Sequence, residues 1–489
     1  MIHANVKKLS LLIVLAMIFA ASTAYSAEVT DVLDAADQVY LEDKLVDDVF
    51  DISLTPIFRQ RYEWAKIKRE YKDVNSRSVR ILNELKYERV INSLDVDLEV
   101  GLYHDLALRM SLPIVLSDQQ GYRYDDDLFT IYENDVRREI KIDGENSYFS
   151  PSNPGSGFKF FDLVEGETLK GRKRSGIGDL KIGIAWSPIN TERRYDPNEP
   201  WKDNTGRSTV TLAFDYIAPT GKTMKIDNSN VGRGLHELIF SVAASQRFKY
   251  VEPYTRLQFG LPINSGKSAF EDFGRNQIRK SPGMWGRADL GIEFIAFERR
   301  KLDFQHSVRI DLRGYFKYVG EGREYSELMD AFGTNDFCRN VSADIAASSN
   351  CGWVTSKWSN AGKDNIEAVA NSTYTGNYSE DGIFDNEGYA VVGGALNLYI
   401  EPVQYLKIVA GVAADYEQNH FITFTKVGKD RGSLDSSGNF TTTKDGVVSD
   451  ARYEERNPSF SSTLDTTGDR IRKTEALNLE WFVGLKFMY

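Results

Sequence analysis

Residues 474–489 read T-E-A-L-N-L-E-W-F-V-G-L-K-F-M-Y. Leu477, Leu479, Trp481, Val483, Leu485, Phe487 and Tyr489 take every second position, with Asn478, Glu480, Phe482, Gly484, Lys486 and Met488 between them. An extended strand sends alternate side chains to opposite faces, so one face of this stretch is wholly apolar and the other mixed. The last strand of a soluble antiparallel sheet would alternate in the same way. What separates the two readings is how often the pattern recurs and what lies on its second face.

It recurs upstream. Leu94, Val96, Leu98, Val100 and Leu102 alternate with Asp95, Asp97, Glu99 and Gly101. After a turn at residues 103–105, Leu106, Leu108, Met110, Leu112 and Ile114 alternate with Ala107, Arg109, Ser111 and Pro113. Three successive carboxylates opposite an apolar ladder need water on their side, either bulk water or the wet lumen of a barrel. Ile52, Leu54, Phe58, Tyr62 and Trp64 are set against Arg59, Arg61 and Glu63. Leu290, Ile292 and Phe294 are set against Arg287, Asp289 and Glu293, and Val308, Ile310 and Leu312 against Arg309, Asp311 and Arg313. Further strands centre on residues 180–186, 210–216, 238–244, 257–261, 392–400 and 406–416.

With the last stretch this makes twelve strands, within a range of ten to fourteen. The connections after the second, sixth, eighth and tenth are short, and the one after the fourth is longer. Those after the third, ninth and eleventh are long. An even count with short turns on one side and long loops on the other is the arrangement of an outer-membrane barrel. The fold predicted for residues 50–489 is therefore all-β, a transmembrane antiparallel β-barrel with long extracellular loops. The last stretch resembles the closing strand of bacterial outer-membrane barrels, down to the terminal aromatic Tyr489. That resemblance implies recognition by the barrel assembly machinery as well as outer-membrane lipid around the wall.

Composition agrees. Hydrophobic residues make up 41% of the chain, and mean hydropathy is −0.40, too polar for a helical membrane protein. Beyond the N-terminus no apolar run is long enough to span as a helix. Twenty-five Tyr and 27 Phe suit the aromatic girdles of a barrel. A formal net charge of −11 argues against nucleic acid as a partner.

Lys7 and Lys8 precede an apolar core over residues 9–21, followed by small residues. This is the pattern of a secretory signal peptide, residues 1–26, with cleavage after Ala24 or Ser26. It places the mature chain in the outer membrane of a Gram-negative cell. Residues 27–49 are acidic, with Val32, Leu33, Ala36, Val39 and Tyr40 at helical spacing. They are read as a short periplasmic helix or as a plug entering the barrel. Cys338 and Cys351, both in a polar stretch, are expected to form a loop-stapling disulfide worth about 3 kcal/mol.

Three motifs in order resemble the outer-membrane proteins of the phenol meta-pathway transporter-like family, distant relatives of FadL-type channels. Gly101-Leu102-Tyr103-His104-Asp105-Leu106-Ala107-Leu108, closing on Leu112-Pro113, is similar to that family's "YGLTD-x-L-x-L…LP" hairpin. Gly176-Ile177-Gly178-Asp179-Leu180-Lys181-Ile182-Gly183 is similar to its "GxGD" strand, and Ala218-Pro219-Thr220-Gly221 to its "LPTG" strand end. The resemblance implies passive uptake of small, hydrophobic or aromatic solutes.

The residues themselves support a channel without chemistry. The five histidines, His3, His104, His236, His306 and His420, form no metal-binding motif such as H-E-x-x-H. No catalytic, cofactor-binding or metal site is read, and no cofactor is expected. Arg59, Arg61, Glu63, Asp95, Asp97, Glu99, Arg109, Arg287, Asp289, Glu293, Arg309, Asp311 and Arg313 are expected to point into the lumen. There they would either line a pore that sorts solutes or pair across it and plug it. Pro113 removes a ladder hydrogen bond and marks a strand bulge or a lateral window toward lipid. Two further functions fit the same pattern: a structural or adhesive barrel with large surface loops, and a general hydrophilic porin.

Overall fold

The computed structural model describes residues 27–30, 32, 38–41, 44–47, 52–73, 78–103, 105–125, 128–133, 136–141, 168–191, 206, 208–224, 228–265, 281–301, 304–330, 383–403, 405–423 and 470–488. Residues 1–26, read from the sequence as a signal peptide, both cysteines and Tyr489 lie outside these residues.

Twelve strands run in sequence around one closed sheet. They are β1 (Ile52–Asp73), β2 (Ser78–Tyr103), β3 (Leu106–Tyr124), β4 (Leu180–Asn190), β5 (Ser208–Ala218) and β6 (Leu235–Gln246). Then come β7 (Val251–Asn264), β8 (Trp285–Lys301), β9 (Phe304–Val319), β10 (Tyr389–Val403), β11 (Leu406–Glu417) and β12 (Ile471–Met488). Each pairs antiparallel with the next, and β12 returns to β1, from Ile471 opposite Arg69 to Met488 opposite Ser53. Closure leaves no free edge, which the bilayer requires because it offers no water to an unpaired backbone group.

The side-chain distribution is the reverse of a soluble protein's. On one continuous rung, Ile292, Leu312, Leu396, Val412 and Trp481 stand opposite one another on neighbouring strands. All face outward, and Leu312 and Val412 are 55% and 49% exposed. On the same strands Asp289, Glu293 and Asp311 face inward and are 0% exposed. Large apolar side chains in contact with the surroundings and carboxylates within define a lipid-facing wall. Tyr103, Tyr250 and Tyr405 stand exposed at three of the short turns, and Trp64, Tyr318 and Tyr416 stand exposed toward the opposite rim. These are the two aromatic girdles that flank the apolar band.

Strand lengths depart from the sequence reading. A tilted strand crosses a bilayer in about 9–11 residues. Strands β1, β2 and β3 have 22, 26 and 19 residues, so the wall continues well past the membrane on the long-loop side. The connection expected after the first strand is instead a continuation of the β1–β2 ladder up to Asp73 opposite Ser78. Likewise, part of the long connection read after the third strand, residues 117–174, is strand. β3 runs to Tyr124, Leu128–Glu133 pairs with Val136–Lys141, and Arg174–Ile177 extends β4 alongside β3.

The N-terminal acidic segment is not helical where it is described. Gln38–Leu41 pairs with Lys44–Asp47 as a small antiparallel hairpin, and residues 28–30 form a turn. Val39 and Tyr40 are β-branched and aromatic, and strand pairing suits them better than a short helix does.

Candidate functional site

The lumen is lined by an ionic ladder. Of the thirteen charged residues expected there, all but Asp97 are ion-paired among the described residues. Arg59 of β1 reaches Asp95 of β2 at 2.6 Å and Glu480 of β12 at 2.9 Å. Arg61 contacts Glu63 at 3.0 Å, and Arg109 contacts Glu99 at 3.2 Å. Across the barrel Asp289 takes Arg287 at 2.7 Å and Arg256 at 3.1 Å. Arg309 pairs with Glu293 at 3.4 Å, and Arg313 with Asp311 at 2.9 Å. Pairing is what makes these groups tolerable, since an uncompensated buried charge costs several kcal/mol.

Several members were not named from sequence. Arg89 makes a two-pronged contact with Asp118, both bonds 2.7 Å, and reaches Glu63. Tyr254 donates to Asp311 at 2.6 Å, and Asn397 donates to the other oxygen of that carboxylate at 2.7 Å. Asp415 accepts from the Tyr315 hydroxyl at 2.8 Å and from Asn478 at 2.7 Å. Tyr315 is on β9 and Asp415 on β11, so this bond passes over β10. It crosses at Gly393, which stands opposite both residues. A Cβ added at Gly393 would lie 2.5 Å from the Tyr315 Cζ and 2.6 Å from the Asp415 Cβ. Gly393→Val is expected to displace the Tyr315 ring, break its bond to Asp415 and destabilise the barrel by about 1–3 kcal/mol. Denaturant unfolding in micelles measures this, with Gly394→Val, whose side chain faces the other side of the strand, as the comparison.

Two inserts enter the lumen. On the short-turn side, residues 27–30 and Val32 sit inside the wall. Ala27 and Thr30 are fully buried, and Val32 packs on Ala107, Ala185 and Ala213. The Thr211 hydroxyl donates to the Thr30 carbonyl at 2.6 Å, and the Glu28 amide donates to Glu293 at 2.7 Å. The Glu28 carboxylate meets the Lys407 ammonium at 2.9 Å. Burial alone would raise the Glu28 carboxyl, but the ammonium groups of Lys407 and Lys486 outweigh it and hold the group at about 2. These first residues of the acidic segment lie inside the wall at its short-turn end.

On the long-loop side the second insert is residues 326–330. Asp330 accepts from Arg174 at 2.7 and 2.5 Å, both side chains being 2% exposed. The Tyr122 hydroxyl donates to the Glu327 carbonyl at 2.6 Å, and Lys473 meets the Glu327 carboxylate at 2.6 Å. Burial opposes ionisation of Glu327, but Lys473 and His420 hold it below the usual carboxylate range. Met329 packs with Met224 and Tyr325, and a cavity of about 40 Å³ lies between this cluster and Arg89, Asp118 and Gln120.

Pro113 is continuous with the β2 ladder, opposite Asp95. The irregularity is on its other side. The Pro113 carbonyl accepts from the Gly178 amide at 2.8 Å, so Pro113 also turns its missing N–H toward β4. There the register slips by one residue. Ser111 stands opposite Lys181, but Ile114 stands opposite Ile177, which leaves Gly178 and Asp179 as the bulge. Beyond it the β4–β5 ladder ends at Leu180 opposite Ala218. Side chains take over the seam until the Ser175 amide donates to the Ser229 carbonyl at 3.0 Å. Asp179 accepts from the Gly221 amide at 2.9 Å and the Arg233 amide at 2.8 Å, while Thr220 accepts from the Leu180 amide at 2.9 Å. The two strand motifs singled out in the sequence thus meet at one junction. Asp105, in the first of the three motifs, adopts φ of 54° and ties the turn down by accepting from Ser187 at 2.8 Å and Asn190 at 2.7 Å.

No protein family model matches the chain, and no curated protein matches its sequence. Among solved structures it is similar to an outer membrane channel from Pseudomonas putida F1, at 8% identity over 89% of this chain and 95% of that one, TM-score 0.35. It is also similar to a FadL homologue from Pseudomonas aeruginosa, at 7% identity over 90% of each chain, TM-score 0.29. The outer membrane protease OmpT from Escherichia coli aligns at 8% identity over 90% of this chain and 96% of that one, TM-score 0.25. The barrel assignment rests on the closed ladder and the inverted side-chain distribution described above.

Proposed function

We propose that the chain is an outer-membrane channel for passive entry of small apolar or aromatic molecules, the class of solute that the phenol meta-pathway transporter-like resemblance implies. The observation that carries this reading is the seam between β4 and β5. Its backbone ladder gives way to three side-chain-mediated bonds, from Asp179 and Thr220, beside the Met224, Tyr325 and Met329 cluster. Ile177, 58% exposed, brings an apolar surface to the outer side of the same seam. A solute dissolved in lipid would enter there by parting a few side-chain bonds rather than a full ladder.

Pro113→Val tests the route, because valine supplies the N–H that β4 lacks at the bulge. Uptake of a labelled small aromatic by a porin-deficient host is expected to fall by about threefold or more, with entry of a sugar of similar mass unchanged. Unchanged aromatic uptake would remove the side route.

A second reading has its own support. Twelve of the thirteen expected charges are paired, and an insert enters from each end. That favours a closed structural barrel, and it predicts entry of neither solute.

A further inference from the structure

The Glu252 carboxylate is the unexplained group in this lumen. Glu252 is 0% exposed, and neither of its carboxylate oxygens has a hydrogen-bond partner among the described residues. It lies on β7, directly opposite Glu293 of β8. On its other side is β6, which carries Ser245 opposite Tyr254. The chain that approaches these three strands is the N-terminal insert. The Ala27 nitrogen donates to the Ser245 hydroxyl at 3.4 Å, and the next nitrogen, of Glu28, donates to Glu293 at 2.7 Å. Ser245 and Glu293 stand on the two strands that flank Glu252, so the Ala27 nitrogen lies over the same three strands as this carboxylate. The guanidinium groups of Arg309 and Arg247 and the Ser245 hydroxyl act on Glu252 while Glu293 repels it, yet among the described residues neither guanidinium forms an ion pair with it. A buried carboxylate beside a second carboxylate calls for a cation in direct contact.

We infer that Glu252 is the binding site for the chain's own α-ammonium at Ala27, created when signal peptidase cuts after Ser26. Hydrolysis breaks the Ser26–Ala27 peptide bond. Water supplies the hydroxyl of the new Ser26 carboxyl group and a proton to the Ala27 nitrogen. A second proton from solvent makes it an ammonium, the charged form of an α-amino group below about pH 7.7–8.0. One peptide donor becomes three charge-assisted donors, enough to keep the Ser245 contact and reach Glu252. Of the two cleavage positions open in the sequence, the site selects the later one. A cut after Ala24 would leave Tyr25 and Ser26 attached and put the charge two residues away. Maturation would then complete the short-turn-side plug, whose other polar anchors are the Glu28–Lys407 pair and the Thr30 contacts.

The test uses full-length protein purified from outer membranes. N-terminal sequencing and intact mass are expected to show a chain beginning at Ala27. The folded protein is then labelled with an amine-reactive reagent across a pH series, and labelling of the α-amine is read by mass spectrometry. In the wild type the labelling midpoint is expected above the ordinary α-amino range. In Glu252→Gln it is expected to fall by about one unit or more, a roughly tenfold rise in reactive amine at fixed pH. Folding of the variant is checked by heat-modifiable gel migration. Should Glu252→Gln not fold, the wild type decides alone through its start position and midpoint. A chain beginning at Tyr25 or anywhere but Ala27, an ordinary wild-type midpoint, or a folded Glu252→Gln with the wild-type midpoint would each overturn the assignment.

Discussion

Asp330→Ala is expected to destabilise the long-loop-side insert by about 3–5 kcal/mol and to open residues 326–330 to protease. The Arg174–Asp330 pair is almost wholly covered and made through two short bonds. Removing the carboxylate leaves the buried Arg174 guanidinium without its ion-pair partner, and the Asp118 carboxylate opposite it is already engaged by Arg89. Asp330 also fills the space over Gly171, where an added Cβ would lie 2.5 Å from its Oδ2. The insert keeps a smaller set of contacts, from Tyr122 and Lys473 to Glu327. Asp330→Asn should cost less, because it retains the shape and an acceptor oxygen. Limited proteolysis of folded protein with mass readout checks both variants, and wild-type protection in Asp330→Ala would contradict the role given to this pair.

Lys407→Glu is expected to expel the N-terminal insert and raise single-channel conductance in planar bilayers by at least about tenfold. It places a second carboxylate against Glu28 in a confined site, and like-charge juxtaposition costs several kcal/mol, each 1.4 kcal/mol being about tenfold in the closed population. Glu28→Lys added to Lys407→Glu should return conductance toward the wild type, which general damage to the barrel would not allow. The pH dependence has a definite sign. The folded value of Glu28 is depressed to about 2 from 4.5, so its contribution is fully present above the unfolded value and is lost only as the pH falls toward 2. Wild-type closure through this pair is therefore expected to be unchanged between about pH 5 and pH 7.

What could be read in advance was the membrane-crossing part of the wall. Every strand from β8 to β12 alternates because lipid lies on one side and a polar lumen on the other, and the same contrast placed Asp289, Asp311 and Arg313 inward. Above the membrane the contrast disappears. Between Ser78 and Ser93, Val79 and Ile81 face out while Leu82 and Leu85 are buried inside, and an extra residue at Glu84 shifts the alternation. Arg89 was missed with that half-strand. Asp415 and Glu480 could have been found, because each alternates with outward-facing residues in a strand that was recognised. The inserts could not, because Glu28 finds Lys407 and Arg174 finds Asp330 across 379 and 156 residues of sequence. At Pro113 the local signal is a missing donor, whereas the register slip lies in the neighbouring strand at Gly178 and Asp179.

Flux into liposomes reconstituted with the purified wild-type protein tests the central claim most directly, comparing a small aromatic with a sugar of similar mass. Faster entry of the aromatic than in protein-free liposomes, with little gain for the sugar, is the predicted result. No gain for either solute, with the barrel shown to be folded and inserted, would contradict the channel and leave a closed structural barrel.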